Sequence, residues 1–535
     1  MRNANSRFSK VPANVDIQRS IFDRNSTVKT TFNAGKLIPI YLDEVLPGDT
    51  WQMDTSLLCR MSTPVFPVMD DAFLDYYYFF VPNRLLWEHW KEFNGENNTS
   101  AWVSNIDYSV PFITDFQCNE GSLGDYFGLP VGVRYSENNT INALPFRAYC
   151  LIYNEWFRDQ NLIDPILIDK GDIASYSDFP VEPLNVAKYH DYFTSCLPAP
   201  QKGPSVFLPI GDFAPVKAYD GVYNEPEKAL YFEFMASDQT TPVYGGVNYV
   251  LDNRGVYTNS TTTTTPNLVT PTNLQADLSA VTSASVNDLR LAFQIQKMYE
   301  RDARSGTRYR ELIKAHFGVT IPDNTVQVPE YLGGKRVQIN VDQVVQMSST
   351  NETSPQGNTA AFSKTVDYGS NFTKSFTEHG YIIGLACVRT SHTYQQGINR
   401  LWSRRDRFDF YWPSLAHIGE QPVFNKEIYS SGDESDNEVF GYQEAWADYR
   451  YKPSYVTGAF RSGINGTLDS WHYADYYEEK PILSSDWINE TSANVDRTLA
   501  VQSNLADQFI LDIFFKCSVT RPMPMYSIPG LIDHF

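Results

Sequence analysis

Long apolar runs are missing from these 535 residues. The longest, Tyr76–Val81 and Tyr381–Val388, have strand length, against the ~18 residues of a membrane-spanning helix, so no membrane insertion is expected. The opening Met1-Arg2-Asn3-Ala4-Asn5-Ser6-Arg7 is basic but leads into no apolar stretch, which speaks against a secretory signal. Cysteine is sparse: Cys59, Cys118, Cys150, Cys196, Cys387 and Cys517 lie far apart, with no Cys-x-x-Cys. That usage predicts buried free thiols and assembly in a cytoplasm. Charge is scarce at 20%, and 43 Lys and Arg against 63 Asp and Glu leave a net of −20, which argues against a dedicated nucleic-acid binder. Also absent are His-Glu-x-x-His, the phosphate-binding Gly-rich patterns and Gly-x-Ser-x-Gly, and no two of the 8 histidines stand at i,i+2 or i,i+4. The pairs Asp70-Asp71, Asp433-Glu434 and Glu478-Glu479 suit a glycosidase poorly, because neighbouring carboxylates on a strand point to opposite faces. No catalytic residue, metal ligand or cofactor is assigned.

Aromatics are what the chain has in plenty, 34 Tyr, 33 Phe and 10 Trp. A chain this aromatic buries enough surface to fold, which excludes disorder, and its composition excludes a coiled coil. Trp51, Met53, Thr55, Leu57 and Cys59 alternate with mostly polar neighbours, as a half-buried strand requires. Pro47-Gly48-Asp49 joins that strand to the run Lys36–Leu42. Asp75–Val81 reads as a strand stopped by Pro82, and Gln508–Val519 places Phe509, Leu511, Ile513, Phe515, Cys517 and Val519 on one face. Tyr381–Val388 is apolar at both parities, so both its faces should be covered. Helical spacing covers Pro145–Leu162, Ser285–Asp302 and Thr307–Phe317. Strands near both ends with few βαβ alternations predict a mainly β fold of antiparallel sheets with long interstrand insertions.

Charge is uneven along the chain. Residues 1–36 carry Arg2, Arg7, Lys10, Arg19, Arg24, Lys29 and Lys36 against Asp16 and Asp23, and read as a basic arm outside the core. Residues 37–210 form the first part of the sheet system, and 289–535 the remainder. Between them 211–288 is a Thr-rich excursion with nine acidic and three basic side chains; excursions of that length are functional surfaces. Arg301, Arg304 and Arg308 lie near Tyr299 and Tyr309, and Arg400, Arg404 and Arg405 near Trp402, Phe408 and Tyr411. Arginine mixed with flat rings suits single-stranded nucleic acid; ion pairing with acids of the same chain or of a neighbouring subunit is the plainer reading. Tyr394, Trp402, Trp412, Trp446, Tyr449 and Tyr451 suit subunit contacts or core packing alike.

Several blocks, in order, carry a resemblance: Ile38-Pro39-Ile40-Tyr41-Leu42-Asp43-Glu44-Val45-Leu46-Pro47-Gly48-Asp49-Thr50, Pro64-Val65-Phe66-Pro67-Val68-Met69-Asp70, and Phe79-Phe80-Val81-Pro82-Asn83-Arg84-Leu85-Leu86-Trp87. They continue with Leu144–Tyr149, Tyr153–Asp159, Glu300–Tyr309, His316–Val319, Tyr331–Gly334, Glu378–Gly384 and Gly441–Arg450. The chain resembles the major capsid proteins of Microviridae bacteriophages, gokushovirus branch, nearly end to end; only 211–288 is unlike a fixed motif.

The resemblance implies an eight-stranded antiparallel jelly roll of viral capsid type, in sixty copies of a T=1 icosahedral shell around circular single-stranded DNA. It also implies an internal scaffolding protein, a small basic DNA-binding protein and a host surface receptor. The virion capsid would be its location, after assembly in the bacterial host cytoplasm. By the same analogy 211–288 would be a threefold protrusion for host recognition, with Tyr244, Asn259, Thr262 and Thr264 on it. Arg2, Arg7, Lys10, Arg19, Arg301, Arg304, Arg308, Arg400, Arg404 and Arg405 would face nucleic acid. A carbohydrate-binding or carbohydrate-active all-β protein is the alternative, as a monomeric module or an enzyme; the enzyme would need a secretion signal.

Overall fold

The computed structural model describes the chain from Gln18 to Tyr526, apart from 95, 97–107, 115, 136–138, most of 204–285, 306–314, 317–326, 349, 351 and 353–354. Residues 1–200 with 303–535 form one compact unit and Gln201–Asp302 a second.

The larger unit is built on two antiparallel sheets. Its strands are β1 (in two pieces, Ser20–Asp23 and Ser26–Phe32), β2 (Ile38–Val45), β3 (Thr50–Met61), β4 (Ala72–Pro82), β5 (Glu330–Gln338), β6 (Thr365–Ser375), β7 (Gly380–Thr390) and β8 (Phe509–Arg521). The first sheet runs β1-β8-β3-β6 and the second β5-β4-β7-β2. Successive strands thus change sheet repeatedly, and the last strand lies between the first and the third, as in a jelly roll. Chain-distant pairing is tight: β8 matches β3 from Phe509↔Met61 to Thr520↔Thr50 without a break.

Alternation explains the packing. Trp51, Met53, Leu57 and Cys59 of β3 and Phe509, Leu511, Ile513, Phe515, Cys517 and Val519 of β8 are buried against Leu74, Tyr76, Tyr78, Ile382, Ala386 and Val388 of the other sheet. The opposite parity of β7, Tyr381, Ile383, Leu385 and Cys387, belongs to a second core with Phe79, Val81 and helix α1 (Leu144–Ile152). Both faces of β7 are covered, as its apolar run predicts. The expected helix over Pro145–Leu162 is shorter: α1 passes into a π turn, Tyr153–Phe157, and Arg158 is extended.

The boundary of the basic arm needs correction. Residues 20–32 are strand β1, paired along β8, and Phe32 and Ala34 are core residues. Net charge obscured a strand whose outward side chains, such as Lys29, carry it. All six cysteines are free and buried, and burial raises the Cys387 thiol to about 12.

In the smaller unit three antiparallel pairs are nested. Val216–Ala218 meets Leu274–Ala276, Phe232–Phe234 meets Val269–Pro271, and Tyr249–Asp252 meets Gly255–Thr258. The insertion expected at 211–288 falls within this unit. Helix α2, Val286–Ser305, follows; the helix expected at Thr307–Phe317 lies mostly outside the described residues.

Candidate interaction surface

The segment after β7 turns through three short 3-10 helices, Arg400–Ser403, Arg407–Asp409 and Pro413–Leu415. Capping explains the first two. Asn399 accepts the Leu401 N–H at 3.0 Å, and Asp409 accepts the backbone N–H groups of Arg405 at 2.7 Å and Asp406 at 2.8 Å. Those two donors hold the Asp409 carboxyl below its usual range.

Rings stand exposed on these turns and on the segment 449–455. Trp402 is 77% exposed, Phe408 72% and Tyr455 65%, with Phe410, Tyr411, Trp412, Tyr449 and Tyr451 also exposed. So many exposed rings in one stretch of chain make it a candidate interaction surface. Two of the aromatics expected there are core instead: Tyr394 is buried and donates to Asp191 at 2.6 Å, and Trp446 is buried and donates its indole N–H to the Leu415 carbonyl at 2.8 Å. Trp446 is the one non-glycine with positive φ, 65°, among the described residues. Its ring packs on Tyr411 and Tyr449, and its N–H is tied to Gln421. Packing therefore holds a backbone conformation that costs ~1 kcal/mol or more. No sequence signal marks this residue.

The arginines are largely consumed in building the surface. Arg400 donates to the Pro422 carbonyl at 3.0 Å and lies 3.7 Å from Glu427, which also accepts from Tyr192. Burial pushes the Glu427 carboxyl up even so. Arg404 is ion-paired with Asp448 and lies 4.3 Å over the Tyr449 ring; Arg407 lies 4.7 Å over Trp412. Arg304 pairs with Glu420 and Glu444. The plainer reading of these clusters, pairing within the chain, holds for Arg304, Arg400 and Arg404. Arg301 and Arg405 are exposed and make no ion pair among the described residues. Arg19 donates to the Gly48 carbonyl. Arg2, Arg7, Lys10, Arg308, Tyr244, Asn259, Thr262 and Thr264 lie outside the residues whose side chains are described.

Two of the paired carboxylates named from the sequence are tied to neighbouring groups. Asp70 accepts from the Tyr473 and Asp71 N–H groups, and Asp433 from Ser435. His392 resembles part of a catalytic triad but is fully enclosed, 2.9 Å from both Asp475 and Glu490. Burial alone would lower its pKa; the two carboxylates raise it to about 10, making it an imidazolium clamp. Among the described residues no cluster of His, Cys, Asp or Glu is placed to hold a metal, and no helix is long and apolar enough to cross a membrane. An aromatic surface on which Arg400 and Arg404 are already ion-paired within the chain suits contact with protein more than with a polyanion.

Comparison with known proteins points to one family. Residues 9–531 match the family model of a phage capsid protein (F protein). The capsid protein VP1 of Bdellovibrio phage phiMH2K is 42% identical over 536 residues, covering 99% of this chain and 98% of that one. VP1 of Chlamydia phage 1 is 40% identical, covering 98% of each, and VP1 of Spiroplasma virus 4 is 42% identical, covering 98% of this chain and 97% of its own.

Proposed function

The chain belongs to the phage capsid protein (F protein) family, of gokushovirus-type Microviridae, and from that premise we propose that it builds a 60-copy T=1 shell around circular single-stranded DNA. The role is structural and not catalytic. The observation that carries this reading is the family match across residues 9–531. The aromatic surface around Trp402 and Phe408 supports it, being the contact chemistry that neighbouring subunits need.

Closed shells use heterologous contacts, each burying roughly 1,000 Å² or more. Trp402, Phe408 and Tyr455 supply anchors for one of them. Arg301 and Arg405, with exposed guanidiniums, are suited to phosphates of the packaged strand. An internal scaffolding protein assists closure in the host cytoplasm, and a small basic protein helps offset the charge of the DNA, which a −20 chain cannot do. The excursion 211–288 serves host recognition through a surface receptor.

Sedimentation of the chain from producing cells, after nuclease treatment, tests the reading. Megadalton particles yielding protected single-stranded DNA are expected. A species that stays small with scaffold and genome both present contradicts it. Deleting 211–288 should spare particles and abolish adsorption; lost assembly would refute the recognition role.

A further inference from the structure

Strands β1 and β2 leave the link 33–37 in different sheets, β1 along β8 and β2 along β7. The link is fixed: Gly35, at φ 81°, donates to the Val388 carbonyl at 2.9 Å, and a Cβ there would lie 2.3 Å from the Glu490 carbonyl oxygen. From this apex the strands diverge and enclose a cleft of about 1610 Å³. Residues 119–128 and 181–183 wall its side, and Arg24 and Asp43 line its wide end, joined by a two-point ion pair at 2.7 and 2.9 Å. Among the described residues each strand has a strand partner on one edge only, and on the β1 side the cleft-lining Tyr126 hydroxyl donates to the Thr31 carbonyl at 2.9 Å. Two free strand edges in one cleft form a place where an extended segment adds as a strand. Val28, Ile40, Leu42, Leu58 and Ile510 give the cleft apolar wall.

The charges select the occupant. The lining carries Asp43, Glu120, Asp125, Glu182, Asp507 and Asp512 against Arg24, Lys29, Lys36 and Arg60, a net of −2. Of the segments beyond the described ends, residues 1–17 carry Arg2, Arg7 and Lys10 against Asp16, a net of +2, while 527–535 carry Asp533 alone, −1. The basic segment also enters the fold at the right place. Arg19 donates to the Gly48 carbonyl, in the turn after β2, and Arg24 follows at the wide end. A strand of six or seven residues spans ~20 Å, well within the reach of 17 residues. We propose that this cleft is the docking site of the chain's own residues 1–17, which add as a strand to the free edge of β1 or β2. The basic segment is then held by its own subunit and is not free to bind DNA.

Hydrogen exchange on unassembled subunits tests the docking without reference to shell formation. In the full chain, edge amides of 26–32 or 38–45 should exchange at least tenfold more slowly than in the chain lacking residues 1–17. A synthetic peptide of residues 1–17 should restore that protection, and a peptide of 527–535 should not. The triple change R2S, R7S and K10S in the full chain, which leaves the fold untouched, should weaken protection in part. Unchanged exchange on deletion, or rescue by the 527–535 peptide, would overturn the proposal. A subunit that shows the protection but never forms particles would refute the shell and leave the docking standing.

Discussion

The two sheets of the larger unit share one core yet differ on their other faces. The sheet β5-β4-β7-β2 is covered outside by α1 and its loops, so Tyr381, Ile383, Leu385 and Cys387 are buried on the side away from the other sheet. The sheet β1-β8-β3-β6 leaves its outer face open, with Val366 65%, Tyr368 64% and Ile510 53% exposed. The ion pairs follow suit. Asp75 of the covered sheet is enclosed and bridges Arg336 and Arg389 on the two flanking strands at 2.8 and 2.7 Å. Burial alone would raise its pKa, but the two guanidiniums outweigh that and hold the carboxyl below its usual range. Lys29–Asp512 on the open sheet stands in solvent at 3.1 Å. Covering a face turns the same residue types from solvated decoration into stability, and it explains why one strand reads apolar at both parities and another alternates.

Breaking the covered sheet should have the largest effect. Asp75→Ala takes the carboxylate from the mostly buried Arg389 and the half-exposed Arg336 and should cost ~3 kcal/mol in urea unfolding, whereas Asp512→Ala on the open face should cost less than ~1 kcal/mol. Equal losses would erase the contrast. Next, Ile383→Ala should cost ~2–5 kcal/mol through cavity formation, read from the same transition. The third test is pH. His392 follows β7 and its pKa is raised to about 10 from 6.5, so its contribution is complete below about 6.5 and lost as pH rises through about 10. The urea midpoint of the parent should therefore fall across that window, and the difference from His392→Gln should shrink toward alkaline pH; a constant difference would remove the clamp from the account. The smallest effect belongs to Val366→Ala on the open face, within ~0.5 kcal/mol.

What could be read from sequence follows the same division. The alternation in Trp51–Cys59 and Phe509–Val519 gave their inward faces, because one face of their sheet is wet. The double-sided run Tyr381–Val388 disclosed that something covers β7, though not that α1 does so. β1 is not legible as a strand, since an edge strand with exposed lysine and threonine looks like a polar arm until its pairing with β8 is seen. Arginine and aromatics near 400 were visible. Their neutralisation by Asp448 and Glu427, respectively 44 and 27 residues from Arg404 and Arg400, depends on tertiary contacts that spacing does not encode. His392 was one dispersed histidine among 8, and its carboxylates stand 83 and 98 residues away.

Mass measurement of intact particles from producing cells, by charge-detection mass spectrometry, tests the central claim most directly. Sixty chains of 61.0 kDa predict a protein shell of about 3.7 MDa with the mass of packaged DNA in addition. A dominant species of only a few subunits, with scaffold and genome supplied, would contradict it.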